Sequence, residues 1–224
     1  MKIPLSTRLL ACAGFVNKGD RVADIGCDHG YLSIHLLTQG IARSCIASDV
    51  AKGPLQSAKD NARKFGVSEN ITFHLSDGVQ SIPRDFDTLV CAGMGGDTMI
   101  HILESAPWLK NEQYRLILQC QSKRPELRKW LYENGFAVRR ETLAKDGKFC
   151  YPVTEVVYAP GESLKGAEFY ITPALLKSGS PLLPEFYDRV VGGIRTSVEG
   201  LSRTGGEKYE EMKAVLEELL EMKL

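Results

Sequence analysis

The side chains best suited to chemistry in this sequence are acids and glycines that follow short apolar runs. Residues 21–25 form such a run, and the next residues are Gly26-Cys27-Asp28-His29-Gly30-Tyr31, with Asp24 two positions before the first glycine. Glycine lets the backbone approach a ligand closely, and a neighbouring carboxylate can accept hydrogen bonds from that ligand. The pattern is informative because a strand should precede it and a helix should follow it.

The acid-x-Gly-x-x-x-Gly spacing resembles the loop with which methyltransferases hold S-adenosylmethionine, although Asp28 stands where a further glycine is commoner. Two interpretations of Asp28 remain open. It could cap the following helix, because aspartate suits the positive helix end. Alternatively, its carboxylate faces the sulfonium or a substrate amine, which would make Asp28 the catalytic residue.

Two more acids end apolar runs. Asp49, followed by Val50, ends the run 44–49, and Asp77-Gly78 follows the run 71–76. An acid at the first position typically accepts hydrogen bonds from ribose hydroxyls, and one at the second could accept from an adenine amino group. A surface acid and a plain turn are the alternatives. The predicted cofactor-binding residues are Asp24, Gly26, Cys27, His29, Gly30, Tyr31, Asp49, Val50, Asp77, Gly78, Gly93 and Met94.

Substrate contacts are predicted further along the chain. Residues 91–97 form a glycine-rich loop that could offer backbone groups to a planar base, or could simply be a flexible connection. Basic side chains after residue 120 could contact phosphates or form a solvated surface. The predicted substrate-binding residues are Arg8, which could close over the site, Gly95, Gln119, Lys123 and Arg124.

Alternating strands and helices must position these residues. Apolar runs predict strands at 21–25, 44–49, 71–76, 88–92 and 115–119, with helices at 6–15, 31–40, 54–65, 98–105 and 125–134. Such alternation predicts an α/β fold with a parallel sheet covered on both faces. Strands at 136–144 and 151–159, joined by a turn at 146–147, predict a terminal antiparallel hairpin. This favours a Rossmann-like class I methyltransferase over a nicotinamide oxidoreductase.

The composition changes at Pro160, which predicts domains at 1–160 and 161–224. Prolines between 173 and 184 predict a loop, and helices are expected at 185–203 and 207–222. Apolar residues at helical spacing line one face of each helix, so the two should pair as an antiparallel α-helical hairpin.

The bulk properties are typical of a soluble globular protein. The 224 residues are 43% hydrophobic and 25% charged, and 28 basic residues balance 28 acidic ones, which disfavours wholesale nucleic-acid coating but permits a local basic patch. No signal peptide, spanning segment, CxxC or HExxH pattern is present. We therefore expect a cytoplasmic protein with free thiols, no metal, no membrane association and no obligate protein partner.

Several motifs together resemble one family. They are LSTRL at 5–9, ADIGCDHGYL at 23–32, SDG at 76–78, AGMGG at 92–96 and RLILQ at 115–119. The combination resembles the bacterial tRNA adenine-22 N1-methyltransferases, the TrmK family. After RLILQ, that family usually reads Pro-Asn, whereas this chain has Cys120-Gln121.

The resemblance implies methyl transfer from S-adenosylmethionine to N1 of adenine 22 in the D-arm of tRNA, giving 1-methyladenosine. As the mechanism, we hypothesise that Asp28 accepts a hydrogen bond from the adenine N6 and that the C-terminal hairpin grips the tRNA. A small-molecule methyltransferase and a non-catalytic RNA-binding protein that retains the fold remain alternatives.

Overall fold

Seven strands form one sheet in the computed structural model, which describes residues 3–224; the first two residues of the predicted 1–160 domain lie outside this range. The strands are β1 (Arg21–Ile25), β2 (Ser44–Asp49), β3 (Ile71–Leu75), β4 (Thr88–Met94), β5 (Arg115–Cys120), β6 (Phe136–Asp146) and β7 (Phe149–Tyr158). Their order is β3-β2-β1-β4-β5-β7-β6. Strands β1 to β5 pair in parallel, whereas β7 pairs antiparallel with both β5 and β6. The predicted parallel sheet with a terminal antiparallel hairpin is confirmed.

Helices cover both faces of this sheet, as its apolar strands require. They are α1 (Thr7–Ala13), α2 (Tyr31–Thr38), α3 (Lys52–Lys64), α4 (Gly96–Glu104) and α5 (Arg124–Glu133), with short 3₁₀ helices at Ser68–Asn70 and Pro107–Leu109. Helices α1, α2 and α3 share a buried apolar cluster with Val90 and Ile117, whereas α4 and α5 share another with Leu89 and Leu116. These neighbouring residues of β4 and β5 point to opposite faces, because side chains alternate along a strand.

The C-terminal segment forms a third apolar cluster. It contains a 3₁₀ helix at Gly166–Phe169 and three α-helices, α6 (Pro173–Leu176), α7 (Leu183–Leu201) and α8 (Glu207–Glu221). Helices α7 and α8 pack against each other through buried side chains that include Ile194 and Leu219, which confirms the predicted helical hairpin. Leu143 of β6 and Cys150 of β7 belong to the same cluster, so this segment also packs on the terminal strands.

A buried ion pair fastens the C-terminal segment to the sheet. Arg128 of α5 pairs with Glu141 of β6, and their side chains are only 5% and 0% exposed. Arg128 also donates to the carbonyl oxygens of Phe169 and Tyr170, at 2.8 and 2.9 Å. The hydroxyl of Thr172 donates to the Glu141 carboxylate. The domain boundary at residue 160 therefore stays a prediction, because contacts of this kind cross it.

Some predicted boundaries are wrong. Helix α3 begins at Lys52 rather than Pro54, and the segment predicted as a proline-rich loop contains α6. Pro173 occupies the first turn of α6, where no backbone N–H is needed, and the Thr172 hydroxyl caps this helix by accepting from the N–H of Leu175. Strand β4 continues beyond residue 92 to Met94, and the hairpin strands continue to the turn at residues 147–148.

Candidate active site

A cleft of about 260 Å³ opens at the edge of the sheet where the parallel strands end. Carboxyl ends of parallel strands meet at one edge, which is where α/β proteins bind their ligands. The cleft is lined by Arg8, Leu9, Asp24, Gly26, Cys27, Asp28, His29, Tyr31, Leu32, Ala92, Gly93 and Met94. Nine of these twelve were predicted from the sequence.

Asp24 is the most buried acid of the cleft. Its side chain lies near the end of β1 and accepts a hydrogen bond of 2.8 Å from the Ser33 hydroxyl, with 4% of the residue exposed. Burial raises the pKa of Asp24 from 3.8 to about 6, the Ser33 bond opposes this rise, and the charge of Asp49 adds to it. An ionised carboxylate in this position favours a cationic ligand.

Two glycines, one after β1 and one near the end of β4, let side chains that line the cleft lie close to the backbone. Gly26 has φ of 70°, and a Cβ placed on it would lie 2.3 Å from the Met94 Cε. Gly93 has φ of 81°, and its Cβ would lie 2.9 Å from Arg8 Nη1. Any larger residue would strain the backbone and displace a side chain that lines the cleft. The floor of the cleft therefore requires glycine at both positions.

Asp49 holds the loop that carries Asp28. One carboxylate oxygen of Asp49 accepts from the backbone N–H of Asp28 at 3.1 Å, and the other accepts from the N–H of Ala51 at 2.9 Å. Each carboxylate oxygen can accept a second hydrogen bond, so Asp49 retains capacity for ligand hydroxyls.

Asp28 has left-handed backbone geometry, with φ of 48°. Aspartate tolerates this geometry better than most residues, and such backbone strain is concentrated at functional sites. The N-cap of α2 is Gly30, which has no side chain to form a capping bond. The interpretation of Asp28 as the helix cap is therefore wrong.

The Asp28 carboxylate is open to a ligand. Its side chain is 70% exposed, and His29 Nε2 lies 3.6 Å from Asp28 Oδ1. Cys27 is unsuited to nucleophilic chemistry, because burial, followed by the charges of Asp24 and Asp49, raises the pKa of its thiol. Asp28 is thus well placed to accept a proton or a hydrogen bond in the cleft.

Arg8 is the residue of α1 whose guanidinium contacts the residues around the cleft. Its Nη1 donates to the side-chain oxygen of Gln119 at 2.9 Å, and its Nε donates to Asp146 at 3.1 Å. The same Gln119 oxygen accepts from the N–H of Gly93 at 3.0 Å. Gln119 is fully buried and does not line the cleft, so it acts on the cleft through Arg8 and Gly93.

The remaining predicted residues lie around the cleft or away from it. Gly30 follows the lining loop, Val50 is 68% exposed beside Asp49, and Gly95 caps α4. Asp77 and Gly78 follow β3 at the same edge but do not line the cleft. Lys123 and Arg124 line a different cavity.

The lining residues that the sequence did not reveal are Leu9, Leu32 and Ala92. They are apolar and adjoin predicted residues, and each lies within one of the motifs at 5–9, 23–32 and 92–96, which is the signal that could have found them. Two supporting side chains, Ser33 and Asp146, were also missed.

Within residues 3–224, no group of three or more His, Cys, Asp or Glu side chains could hold a metal ion. No helix in this range has the length and apolar character to cross a membrane.

The fold and the cleft are those of a methyltransferase. The methyltransferase domain family matches residues 5–154, which include every residue that lines the cleft. The tRNA (adenine(22)-N(1))-methyltransferase of Bacillus subtilis is 34% identical over 153 residues, which cover 68% of this chain and 64% of that protein.

Solved structures give the same result over nearly the whole chain. The B. subtilis m1A22 tRNA methyltransferase TrmK is 29% identical, with a TM-score of 0.81 over 98% of this chain and 95% of that one. Sp1610 of Streptococcus pneumoniae, solved in complex with S-adenosyl-L-methionine, is 30% identical, with a TM-score of 0.82 over 95% of this chain and 99% of that one. The chain belongs to the TrmK family of bacterial tRNA (adenine-22-N1)-methyltransferases.

Proposed function

We propose that this protein transfers a methyl group from S-adenosylmethionine to N1 of an adenine in tRNA, adenine 22 of the D-arm, giving 1-methyladenosine. The observation that carries this proposal is the exposed Asp28 carboxylate, held beside a glycine floor and the acids Asp24 and Asp49. The name of the B. subtilis relative and the S-adenosyl-L-methionine bound to Sp1610 support the substrate and the cofactor.

The residues of the cleft suit S-adenosylmethionine. Gly26 and Gly93 let the Met94 and Arg8 side chains line the cleft close to the backbone, and Asp24 offers a buried carboxylate to a cation. The free lone pairs of Asp49 suit the ribose hydroxyls. When bound, S-adenosylmethionine supplies an electrophilic methyl group on a sulfonium centre.

Asp28 acts on the adenine. N1 carries a lone pair and is uncharged at neutral pH, so no base has to act first. Methylation at N1 makes the ring cationic, and a carboxylate that accepts a hydrogen bond from the exocyclic N6 stabilises the developing charge. Asp28 can then take the N6 proton. Asp49 keeps the Asp28 loop in position through the 3.1 Å bond to its backbone N–H.

Residues 161–224 form the unit proposed to grip tRNA, and the charge of its two long helices limits how. Helix α8 carries six acidic and two basic side chains, which would repel phosphates. Helix α7 carries two arginines and three acids, so it is less acidic than α8, and its surface around Arg189 and Arg195 is the better suited to RNA. The target base must also leave the folded RNA, at a cost of a few kcal/mol.

The test is to incubate the protein with labelled S-adenosylmethionine and unmodified bacterial tRNA, digest the RNA and identify the labelled nucleoside. Label in 1-methyladenosine supports the proposal. Absence of label in RNA, with the cofactor still bound, would contradict it and favour a small-molecule methyltransferase.

Asp28→Asn tests the role of the carboxylate. We expect methyl transfer to fall about 100-fold or more, because proton transfer and charge stabilisation by positioned side chains contribute at least this much. Cofactor affinity should change little. Asp85→Asn, which removes an exposed acid before β4, is the matched control. Equal losses of transfer and cofactor affinity in the Asp28 variant would refute the catalytic role.

A further inference from the structure

A second cavity lies between the N-terminal end of α5 and the C-terminal helix α7. Its volume is about 230 Å³, close to that of the active-site cleft. Among the described residues, four cationic side chains and no carboxylate line it: Lys123, Arg124, Arg128 and Arg189. A cavity with this charge favours an anion.

Arg124 is the cation that the protein leaves without a polar partner. Its guanidinium is half-buried, with Cζ 5.3 Å from the centre of the Phe186 ring, and makes no hydrogen bond or ion pair within residues 3–224. The other three cations all have polar partners: Lys123 bonds to Asp97, Arg128 to Glu141, and Arg189 to the carbonyl oxygen of Lys148 and to Glu185. Burial, followed by repulsion from Arg128, lowers the pKa of Arg124. A bound anion would relieve both effects.

The backbone of α5 adds to the positive field. Residues 122–125 line the cavity at the start of this ten-residue helix. Its N-cap is Lys123, with φ of 54°, and no side chain caps the first turn. The N-terminal end of a helix carries partial positive charge and free N–H groups, which favour phosphate.

The cavity adjoins the active-site cleft where β4 ends and α4 begins. The N–H of Gly96 donates to the carbonyl oxygen of Ser122 at 2.9 Å, and a Cβ on Gly95 would lie 3.0 Å from the Ser122 hydroxyl. Gly93 and Met94, immediately before them, line the cleft, whereas Ser122 lines the cavity. An RNA strand that inserts a base into the cleft would bring its neighbouring backbone to this side.

We propose that this cavity binds one phosphodiester group of the RNA next to the methylated adenosine, with Arg124 and Arg189 as the anion ligands. The inference rests on the proposed function. It assigns a specific contact to the C-terminal unit, because Arg189 belongs to α7. It also accounts for the uncompensated charge of Arg124.

The first test compares Arg124→Gln, Arg124→Lys and Arg189→Gln with the wild-type protein in tRNA binding, cofactor binding and thermal unfolding. Arg43→Gln is the matched control, since it removes an exposed charge just before β2, at the opposite edge of the sheet. We expect each glutamine variant to bind tRNA about ten-fold more weakly, as expected for loss of a charge-assisted hydrogen bond. Arg124→Lys should keep part of the affinity. Cofactor affinity and unfolding temperature should stay close to wild type.

Salt dependence provides a readout that a folding defect would not mimic. Affinity falls as salt rises, and loss of one phosphate contact makes the negative slope of log affinity against log salt shallower by about 0.7 to 0.9. An unchanged slope in the Arg124→Gln and Arg189→Gln variants would overturn the proposal, as would tRNA affinity equal to that of Arg43→Gln.

A second test uses D-arm RNAs in which single linkages around the target adenosine are replaced by neutral methylphosphonates. At one position, replacing the linkage should weaken RNA binding by the wild-type protein but not by the Arg124→Gln variant. The reason is that the replacement and the substitution remove the same contact. Additive losses at every linkage would overturn the phosphate site while leaving the proposed function intact. If the wild-type protein neither bound nor methylated tRNA, the proposed function would fail and the phosphate site would fail with it.

Discussion

Replacing Asp24 by asparagine should stabilise the fold at neutral pH while weakening the cofactor site. The ordinary pKa of an aspartate side chain is 3.8, whereas burial raises the pKa of Asp24 to about 6 in the folded protein. At about 1.4 kcal/mol for each pH unit, this difference corresponds to about 3 kcal/mol of unfavourable charging in the folded state. Asparagine keeps an oxygen for the 2.8 Å Ser33 hydrogen bond and carries no charge.

The sign of the pH dependence follows from the raised pKa. Below about pH 4, Asp24 is protonated in both the folded and the unfolded chain, so its ionisation costs no stability. Between about pH 4 and 6 the unfolded chain loses this proton while the folded protein keeps it, and wild-type stability falls. Above about pH 6, Asp24 is ionised in both states, and the folded protein bears the full unfavourable free energy of charging this buried carboxylate.

Denaturant unfolding at pH 4 and at pH 7.5 measures this cost. We expect Asp24→Asn to unfold with a free energy about 1 to 3 kcal/mol higher than wild type at pH 7.5 and nearly equal at pH 4. Asp85→Asn, at an exposed position, should change little at either pH. A less stable Asp24 variant at pH 7.5, or a gain of equal size at both pH values, would refute the reasoning.

The order of cofactor affinity should be the reverse of the order of stability. A carboxylate attracts the cationic S-adenosylmethionine, so the wild-type protein should bind it more tightly than the variant at pH 7.5. Wild-type affinity should weaken as the pH falls through about 6, where Asp24 becomes protonated. Titration calorimetry at both pH values checks this, and identical affinities of the two proteins would contradict the placement of Asp24 beside the cation.

Two further substitutions test the framework of the site. Gly26→Ala puts a methyl group 2.3 Å from the Met94 Cε at φ of 70°, so we expect at least about ten-fold weaker cofactor binding by calorimetry. Adding Met94→Ala should restore only the part of the cofactor affinity that the clash removes. Full recovery of the affinity would show that alanine at position 26 causes no backbone strain. Arg128→Leu strands the fully buried Glu141 charge and should lower the free energy of unfolding by about 3 to 5 kcal/mol. The double variant with Glu141→Leu should recover much of this loss in the same denaturant experiment, and a double variant as unstable as the single one would contradict the ion-pair explanation.

The strands that are buried along nearly their whole length were predicted best from the sequence. The bounds of β1 and β2 match the predicted strands, because both are buried parallel strands between turn residues. The hairpin strands were predicted too short, since their ends at Asp146 and Phe149 are polar or exposed. Helix α6 was missed because Pro173 was interpreted as a loop residue, although proline is tolerated in a first helical turn.

The candidate site was predictable where chemistry follows a strand, and not where it depends on packing between distant segments. Asp24 lies near the end of β1, and Gly26 and Asp28 follow it, so chain position alone places them at the edge of the sheet. The bond between Arg8 and Asp146 joins residues 138 positions apart and leaves no pattern in the sequence. The cavity between α5 and α7 likewise exists only because the C-terminal helices pack on the sheet.

The tip of the β6–β7 hairpin connects the two proposed binding sites. Asp146 bonds to Arg8 at the cleft, and the carbonyl oxygen of Lys148 accepts from Arg189 at the phosphate cavity, at 3.1 and 2.8 Å. Lys145 adds a 2.6 Å ion pair with Glu185 of α7. These contacts fix the distance between the base site and the phosphate site before RNA binds. Because a site that is already ordered loses less entropy on binding, the hairpin should raise RNA affinity without touching the base.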